Sequence, residues 1–289
     1  MNKRIVIIGG GVVGLATAWE LIKRGHQVQL LERNAEPGSA TSFANGGQLS
    51  YRYVAPLADS GVPLQGIKWM GKADSPLNMR LKMSFQQWRW LLQFLRACNS
   101  QTNKMNGDHI LRLSLLSRQV MQSWLDEDNL ADFHWRRSGK LIIHRREYDF
   151  IKAAKGIDPQ YQQALNADAC LQLEPALRHI SPSLQGGIYS PGDETADCHQ
   201  FCLALLDKLN ASNDFSLLTH CEVQQLNKRG GRISALETNR GTITGDDYVV
   251  AAGNGSGPLL GHLGVRVPLC ALKGYSLTLP YPEKAGIAP

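Results

Sequence analysis

Three glycines near the start of the chain have the spacing of a phosphate-binding turn. Gly9, Gly11 and Gly14 follow the apolar run at residues 5–8 and precede a predicted helix over residues 13–24. The first glycine allows a tight turn, the second lets the backbone approach a pyrophosphate, and the third lets the helix pack against the strand. The positive end of the helix then faces the phosphates. The sequence therefore predicts a dinucleotide-binding strand, turn and helix.

An acidic residue extends this motif. Residues 26–31 are predicted to form the second strand, which ends at Glu32. A carboxylate at this place can accept hydrogen bonds from the adenosine ribose, and it favours a free 2′-hydroxyl, hence FAD or NAD over NADP. The motif alone does not choose between those two. The predicted cofactor-binding residues of this unit are Gly9, Gly11, Val12, Val13, Gly14, Glu32 and Arg33.

Composition bounds the rest of the molecule. The chain has 289 residues, 43% hydrophobic and 19% charged, with a formal net charge of +6. This balance predicts one large or two modest globular domains, and no apolar run reaches the roughly 18 residues of a membrane span. The basic residues are scattered and form no nucleic-acid-binding motif, so we expect no nucleic acid partner.

The cysteines predict neither a disulfide framework nor a metal centre. The sequence contains six cysteines and no CxxC pair, and Cys198, His199 and Cys202 crowd one turn of a predicted helix without a second ligand pair. Such a pattern is typical of reduced thiols in a cytoplasmic protein. We therefore expect no bound metal.

A polar loop after Glu32 distinguishes the two cofactors. Instead of a further regular nucleotide-binding unit, the chain continues into the sequence TSFANGGQ at residues 41–48. Here it resembles the FAD-dependent amine oxidoreductases, the superfamily of D-amino-acid oxidase, glycine oxidase and sarcosine oxidase. Within that superfamily the loop is most similar to the D-amino-acid dehydrogenase small-subunit family. By this resemblance the residues that contact the pyrophosphate and flavin ring of FAD are Thr41, Ser42, Asn45, Gly46, Gly47 and Gln48.

A second block supports the same resemblance. Residues 186–197, GGIYSPGDETAD, are similar to the segment in which these dehydrogenases return from the substrate domain to the nucleotide domain. The following helix is predicted to begin with Asp197 as its N-cap. Asp193 and Glu194 could form an acid and base pair, but a turn before a helix explains them equally well, and we favour that structural role.

The downstream segments favour FAD over NAD. A predicted antiparallel meander precedes a strand and glycine turn at residues 248–253, a combination that nicotinamide dehydrogenases do not usually have. By resemblance, Val223 contacts the adenine through its backbone, and Ala252 and Gly253 pass beside the pyrophosphate.

The middle of the chain, residues 50–185, carries no cofactor motif. The apolar positions of residues 84–95 fall on one helical face, which we interpret as core-facing rather than as a membrane contact. Residues 138–144 predict an inner strand of the substrate domain, and residues 267–280 match a strand that re-enters it. Candidate catalytic residues in the substrate pocket are Arg52, Tyr53 and Tyr275.

These features predict an α/β fold, a Rossmann-like FAD-binding domain interleaved with an α+β substrate domain. The FAD-binding domain comprises residues 1–50 and 186–264, and the substrate domain comprises residues 51–185 and 265–289. In the resembled family the chain continues with further strands and flavin contacts. We therefore expect the substrate domain to be incomplete and this chain to be C-terminally truncated, with an open sheet edge that a second copy or a complementing chain would cover.

The resemblance implies oxidative deamination of D-amino acids to 2-oxo acids and ammonium. Electrons would pass to a quinone or another respiratory acceptor, which implies a cytoplasmic protein in peripheral contact with the inner face of the cell membrane. Two alternatives remain at this point: a non-catalytic remnant that binds FAD or nothing, and an NAD-dependent oxidoreductase.

Overall fold

The computed structural model describes residues 2–52, 54–69, 83–130 and 132–275. The described residues divide into two compact units. The first contains residues up to Leu49, Leu130–Val267 and those from Ala271 onward, and the second contains Ser50–Asn129 and Pro268–Cys270. Residues 130–185 thus group with the nucleotide-binding segments. Their assignment to a substrate domain, like the other predicted domain boundaries, remains a prediction.

Helices and strands alternate in the first unit, whereas helices dominate the second. The helices are α1 (Val12–Lys23), α2 (Val62–Trp69), α3 (Phe85–Ala97), α4 (Ser100–Asp126), α5 (Glu147–Lys155), α6 (Ala167–Leu173), α7 (Cys198–Asn210) and α8 (Ser256–Gly261). The strands are β1 (Arg4–Ile8), β2 (Gln27–Leu31), β3 (Gln48–Leu49), β4 (Lys140–His144), β5 (Gln163–Asn166), β6 (Gly186–Ser190), β7 (Glu194–Thr195), β8 (Phe215–Leu218), β9 (Val223–Arg229), β10 (Arg232–Thr238), β11 (Gly241–Ile243) and β12 (Asp247–Val250).

A parallel sheet in the order β12-β1-β2-β8 forms the centre of the first unit. Val6 pairs with Tyr248 on one side and Gln29 on the other. Val6, Ile7 and Leu30 are completely buried. Their burial explains why the first strand reads as a continuous apolar run, because parallel strands are covered on both faces. The predicted Rossmann-like α/β architecture is confirmed.

The predicted antiparallel meander is also present, over residues 223–243. It is a three-stranded sheet in the order β11-β10-β9. Leu226 and Leu236 pack with Val6 and Leu31 of the parallel sheet in one buried cluster. The first hairpin turn contains Gly230 and Gly231 at φ +58° and +82°, values that glycine adopts without steric cost. The meander therefore closes the cluster at one face of the central sheet.

A third sheet in the first unit has the order β4-β6-β5, and a short two-stranded pair joins β3 to β7. In the third sheet Ile142 pairs with Ile188, which in turn pairs with Ala164. The strand predicted at residues 138–144 is observed as β4, but among the described strands it lies at the edge of this sheet and β6 is the inner strand. In the two-stranded pair Gln48 lies opposite Thr195, which fixes the end of the polar loop 41–48.

The second unit contains α2, α3 and α4, and side chains mark where two of them begin. Ser84 Oγ accepts a hydrogen bond from the backbone N–H of Gln87 at the start of α3, and Asn99 Oδ1 accepts one from Thr102 at the start of α4. Such caps satisfy amide groups that have no partner within the helix. In the part of the chain that the structure describes, no helix is long and apolar enough to cross a membrane.

The interpretation of α3 as core-facing was wrong. Phe85 is 83% exposed, and Trp88, Leu92 and Leu95 on the same face are also exposed. The spacing of apolar residues identifies an amphipathic face correctly, but it carries no information about what covers that face.

The strand predicted at residues 267–280 is not observed in its described part. Residues 267–275 have no regular secondary structure, and residues 276–280 lie outside the described residues. A strand is stable when its backbone groups pair with a neighbour, and none of the described strands pairs with this segment. An apolar pattern alone cannot supply that neighbour.

Candidate functional site

The glycine turn between β1 and α1 has little room for side chains. Gly9 adopts φ +106°, and a Cβ atom there would lie 2.5 Å from the carbonyl oxygen of Ala251. A Cβ at Gly14 would overlap the carbonyl oxygen of Gly9. The backbone N–H of Gly9 donates to Leu31 O at 2.8 Å. Glycine is therefore required where the turn touches both β2 and the segment after β12.

The first turn of α1 is suited to an anion. Gly11 caps the helix without any side chain, and the first turn contains no acidic residue. The backbone N–H of Val12 donates to Ser42 Oγ at 3.0 Å, and Val13 is exposed. Helix N-termini attract phosphate because their amide groups and dipole present partial positive charge. This end of α1 can therefore hold a pyrophosphate.

Glu32 is 8% exposed, and its carboxylate binds one backbone N–H that precedes it in the sequence and one that follows it. Its Oε2 accepts a hydrogen bond from the N–H of Gly10 at 2.7 Å, and its Oε1 accepts one from the N–H of Asn34 at 2.8 Å. Charge-assisted bonds of this kind offset the cost of burying a carboxylate. Glu32 thus lies at the glycine turn, as expected from its place in the sequence, and its contact with a ribose remains a prediction.

The segment 33–48 folds back over the glycine turn. The N–H of Gly38 donates a hydrogen bond to Gly10 O at 2.8 Å. The N–H of Val12 donates one to Oγ of Ser42, which is buried. These two bonds attach the segment to the turn and to the start of α1. The loop that resembles a flavin-binding segment therefore borders the predicted phosphate site.

The far end of the same loop is attached to the segment before α7. Asn45 Oδ1 accepts the N–H of Gly47 at 2.9 Å, and Gly47 O accepts the N–H of Ala196 at 2.8 Å. Gly47 has φ +61°, and a Cβ there would lie 2.8 Å from Ala196 O. Arg33, Thr41, Gly46 and Gln48 are exposed along this segment. The loop is thus held at both ends and open between them.

Asp197 caps α7 as predicted, because its Oδ1 accepts the N–H groups of His199 and Gln200 at 2.8 and 3.0 Å. Glu194 has the structural role that we favoured: it is buried, and its Oε2 accepts the indole N–H of Trp135 at 2.9 Å. Asp193 is buried beside it, and its backbone oxygen accepts the N–H of Gly139.

Two cysteines of α7 lie against the polar loop, a contact that the sequence did not predict. Cys198 is half-buried and Cys202 is buried. Interaction with the Cys202 thiol, and to a smaller extent with Asn45 and Ser42, lowers the pKa of Cys198 to about 6. Interaction with Cys198, together with burial, raises the pKa of Cys202. The adjacent His199 ring packs edge-to-face on Phe43 at 4.8 Å.

The remaining predicted cofactor residues lie after β8 and β12. Val223 is buried at the start of β9. Ala252 and Gly253 follow β12, and the Cα of Ala252 lies 3.0 Å from a Cβ built on Gly9. The 251–253 segment therefore borders the glycine turn. Contacts of these residues with FAD remain predictions.

Two of the three candidate catalytic residues, Arg52 and Tyr275, are described, and they belong to different units. Arg52 is half-buried in the second unit, directly after β3. Tyr275 is 89% exposed in the first unit, and Tyr53 lies outside the described residues. Their roles remain predictions.

Among the residues that the structure describes, no group of three or more His, Cys, Asp or Glu side chains could hold a metal ion.

The parallel sheet, the glycine turn with an open helix N-terminus and the acidic residue after β2 define a dinucleotide-binding α/β protein. The family model FAD dependent oxidoreductase, abbreviated DAO, matches residues 4–289. The chain belongs to this family of FAD-dependent oxidoreductases.

Curated relatives are similar over nearly the whole chain. D-amino acid dehydrogenase 2 of Pseudomonas aeruginosa is 48% identical over 97% of this chain, which covers 67% of that protein. D-amino acid dehydrogenase 2 of Ralstonia nicotianae is 39% identical, again over 97% of this chain and 67% of the relative. The chain thus spans about two thirds of the length of these relatives.

Solved structures have the same fold at low sequence identity. Glycine oxidase from Geobacillus kaustophilus matches with a TM-score of 0.62 and 22% identity, over 91% of this chain and 59% of that one. L-proline dehydrogenase from P. horikoshii matches with a TM-score of 0.59 and 18% identity, over 91% of this chain and 56% of the other. The chain spans less than two thirds of either structure.

Proposed function

We propose that this chain binds FAD and contributes to the oxidative deamination of D-amino acids to 2-oxo acids and ammonium. The observation that carries the proposal is the cradle of the glycine turn, Glu32 and the loop 41–48, which are joined by direct hydrogen bonds. Membership of the FAD-dependent oxidoreductase family supports the cofactor. The names of the relatives from Pseudomonas and Ralstonia support a D-amino acid as the substrate.

Each segment of the cradle matches a different part of FAD: the pyrophosphate, the adenosine ribose or the flavin ring. The N-terminus of α1 would hold the pyrophosphate, because Gly11 places no side chain over it and no acidic side chain lies in the first turn. Glu32 would accept hydrogen bonds from the adenosine ribose, and the loop 41–48 would border the flavin side. When bound, FAD accepts the hydride from the substrate, so the protein supplies position, shielding from water and electrostatics.

We also propose a quinone-type electron acceptor and peripheral contact of a cytoplasmic protein with the cell membrane. Support for the contact comes from α3, whose exposed apolar face contains Phe85, Trp88 and Leu92. Residues 62–118 contain nine lysines and arginines but only two aspartates. Exposed apolar side chains beside basic residues favour the surface of an anionic bilayer.

The alternatives are less well supported. An NAD-dependent enzyme disagrees with the family to which the chain belongs. A non-catalytic remnant would retain the cradle yet not turn over substrate, so it differs from our proposal in one measurable respect. Association with a second copy or a complementing chain remains a prediction.

An anaerobic spectrum tests the function. The purified chain is mixed with FAD, freed of excess cofactor and titrated with D-alanine, while L-alanine serves as the matched control. We expect the bound flavin to bleach with the D-isomer alone. Bound flavin that neither isomer bleaches would contradict the proposed reaction while leaving the proposed cofactor intact.

A further inference from the structure

The β8–β9 turn, residues 219–222, is bonded to the residue that would hold the ribose. The N–H of Cys221 donates a hydrogen bond to Glu32 O at 2.9 Å, and the N–H of His220 donates one to Asn34 O at 3.1 Å. His220 adopts φ +51°, in the left-handed region that a residue with a side chain occupies only at a cost. Contacts from the surrounding structure are therefore needed to stabilise this turn.

Asn239 supplies such contacts from the meander. Its Nδ2 donates a hydrogen bond to His220 O at 3.1 Å, and its Oδ1 accepts one from the N–H of Glu222 at 2.8 Å. Its backbone N–H donates a third to Glu222 O at 3.2 Å. A single residue thus binds the β8–β9 turn at two positions. Because Asn239 is exposed, its side chain can be removed without disturbing the buried core.

The hairpin turn between β10 and β11 fixes Asn239 in place. The buried Thr238 donates a hydrogen bond from Oγ1 to Gly241 O at 2.7 Å, and the same Oγ1 accepts the N–H of Arg240 at 3.0 Å. Thr238 also pairs with Val223, the first residue of β9. Asn239 is therefore anchored on the strand pair that continues directly from the β8–β9 turn.

The order of the parallel strands locates the adenine relative to this turn, an argument that rests on the proposed function. Ligands of open α/β sheets bind outside the carboxyl ends of the strands. The pyrophosphate would lie at the end of β1 and the ribose at Glu32 after β2, and β8 is the next strand in the order β12-β1-β2-β8. A dinucleotide that extends from β1 to β2 therefore brings its base to the β8–β9 turn.

We propose that Asn239 is a positioning residue for the adenosine half of FAD. Its hydrogen bonds hold the β8–β9 turn in the conformation that receives the adenine, and the turn in turn binds Glu32 through the N–H of Cys221. The flavin half of the cofactor borders the loop 41–48 instead. Asn239 therefore favours FAD over FMN, which contains a flavin and one phosphate but no adenosine.

Dissociation constants for FAD and FMN test this selectivity. We expect Asn239→Ala to weaken FAD binding about fivefold, the equivalent of one hydrogen bond of ordinary strength, and to change FMN affinity by less than about twofold. Asn227→Ala is the matched control, because Asn227 donates a hydrogen bond to Glu237 Oε1 at 2.7 Å within the same meander. It should change neither affinity. Equal weakening of both flavins by Asn239→Ala, or an unchanged FAD affinity, would overturn the proposal.

Hydrogen exchange in the flavin-free chain tests the hold of Asn239 on the turn without reference to FAD. We expect the amides of Cys221 and Glu222 to exchange at least about fivefold faster in Asn239→Ala and at their original rates in Asn227→Ala. Unchanged exchange in Asn239→Ala would refute the positioning role. An unmodified chain that binds no FAD would contradict the proposed function and the selectivity for FAD, whereas the effect on the turn is judged by the exchange rates alone.

Discussion

The carboxylate of Glu32 accepts a hydrogen bond from the backbone N–H of Gly10 at 2.7 Å. This bond joins the end of β2 to the middle of the glycine turn. Because the carboxylate is buried and its other oxygen binds Asn34, both oxygens have a stabilising role without any ligand. The acidic residue of the motif therefore shapes the turn, and its contact with a ribose remains a proposal.

We expect Glu32→Gln to lower the free energy of unfolding by about 1–3 kcal/mol. The side-chain NH2 of Gln would replace one of the two accepting oxygens, so one backbone N–H would lose its hydrogen-bond partner. Urea unfolding followed by circular dichroism measures this change. Glu36→Gln, at an exposed position of the same segment, is the control and should change stability by less than about 0.5 kcal/mol. Equal effects of the two substitutions would contradict the structural role of Glu32.

Gly14→Ala is expected to destabilise the chain by about 2 kcal/mol or more, because the new Cβ would overlap the carbonyl oxygen of Gly9. Gly25→Ala is the matched comparison, since Gly25 has φ +77° and nothing within 4 Å of a Cβ. Its cost should be about 1 kcal/mol of backbone strain. Thermal unfolding of the two variants compares them. A Gly14→Ala variant as stable as Gly25→Ala would show that the helix does not approach the turn this closely.

Much of the fold could be predicted because the signals are local. The strand, glycine turn and helix at residues 4–23 follow from the spacing of three glycines, and Asp197 is recognisable as a helix cap from its own neighbours. The edge-to-face contact of the His199 ring with Phe43 joins segments more than 150 positions apart. No spacing rule reports such a contact.

Two wrong predictions have a common physical cause. An amphipathic pattern showed that α3 has an apolar face, and an apolar run at 267–280 resembled a strand, but the packing partner decides the outcome in both cases. In the described residues the face of α3 is exposed and residues 267–275 pair with no described strand. The pattern of apolar residues shows that a helix or strand can pack against a partner. The tertiary structure determines whether that partner is present.

The exposed face of α3 should bind anionic vesicles. We expect the double substitution Trp88→Ser and Leu92→Ser to weaken sedimentation with phosphatidylglycerol vesicles by at least about tenfold, because burial of each large apolar side chain contributes up to about 1.5–3 kcal/mol. Tyr148→Ser, which alters an exposed aromatic residue on α5, is the control. Loss of binding in the control, or unchanged binding in the double variant, would contradict a role for α3.

The reactivity of Cys198 should depend on pH in a characteristic way. Its pKa of about 6 lies below the ordinary thiol value, so alkylation by iodoacetamide should reach half of its maximal rate near that pH and level off above it. Burial raises the pKa of Cys98, so Cys98 should remain slow until the solution is strongly alkaline. Peptide mapping after timed labelling resolves the two sites. Parallel pH profiles for Cys98 and Cys198 would contradict the lowered pKa of Cys198.

If the N-terminus of α1 holds the phosphates of FAD, a negative charge placed there should weaken FAD binding. Gly11 has φ −76° and ψ 179°, and a Cβ would lie 3.4 Å from Ser42 Oγ, so both Asp and Asn fit as helix caps. Gly11→Asp and Gly11→Asn have the same size and differ in charge.

The measurement is the FAD dissociation constant of both variants, from quenching of flavin fluorescence. We predict that Gly11→Asp binds FAD at least about tenfold more weakly than Gly11→Asn, because the carboxylate repels the pyrophosphate and occupies its amide donors. Equal affinities in two folded variants would show that the phosphates lie elsewhere than at the N-terminus of α1.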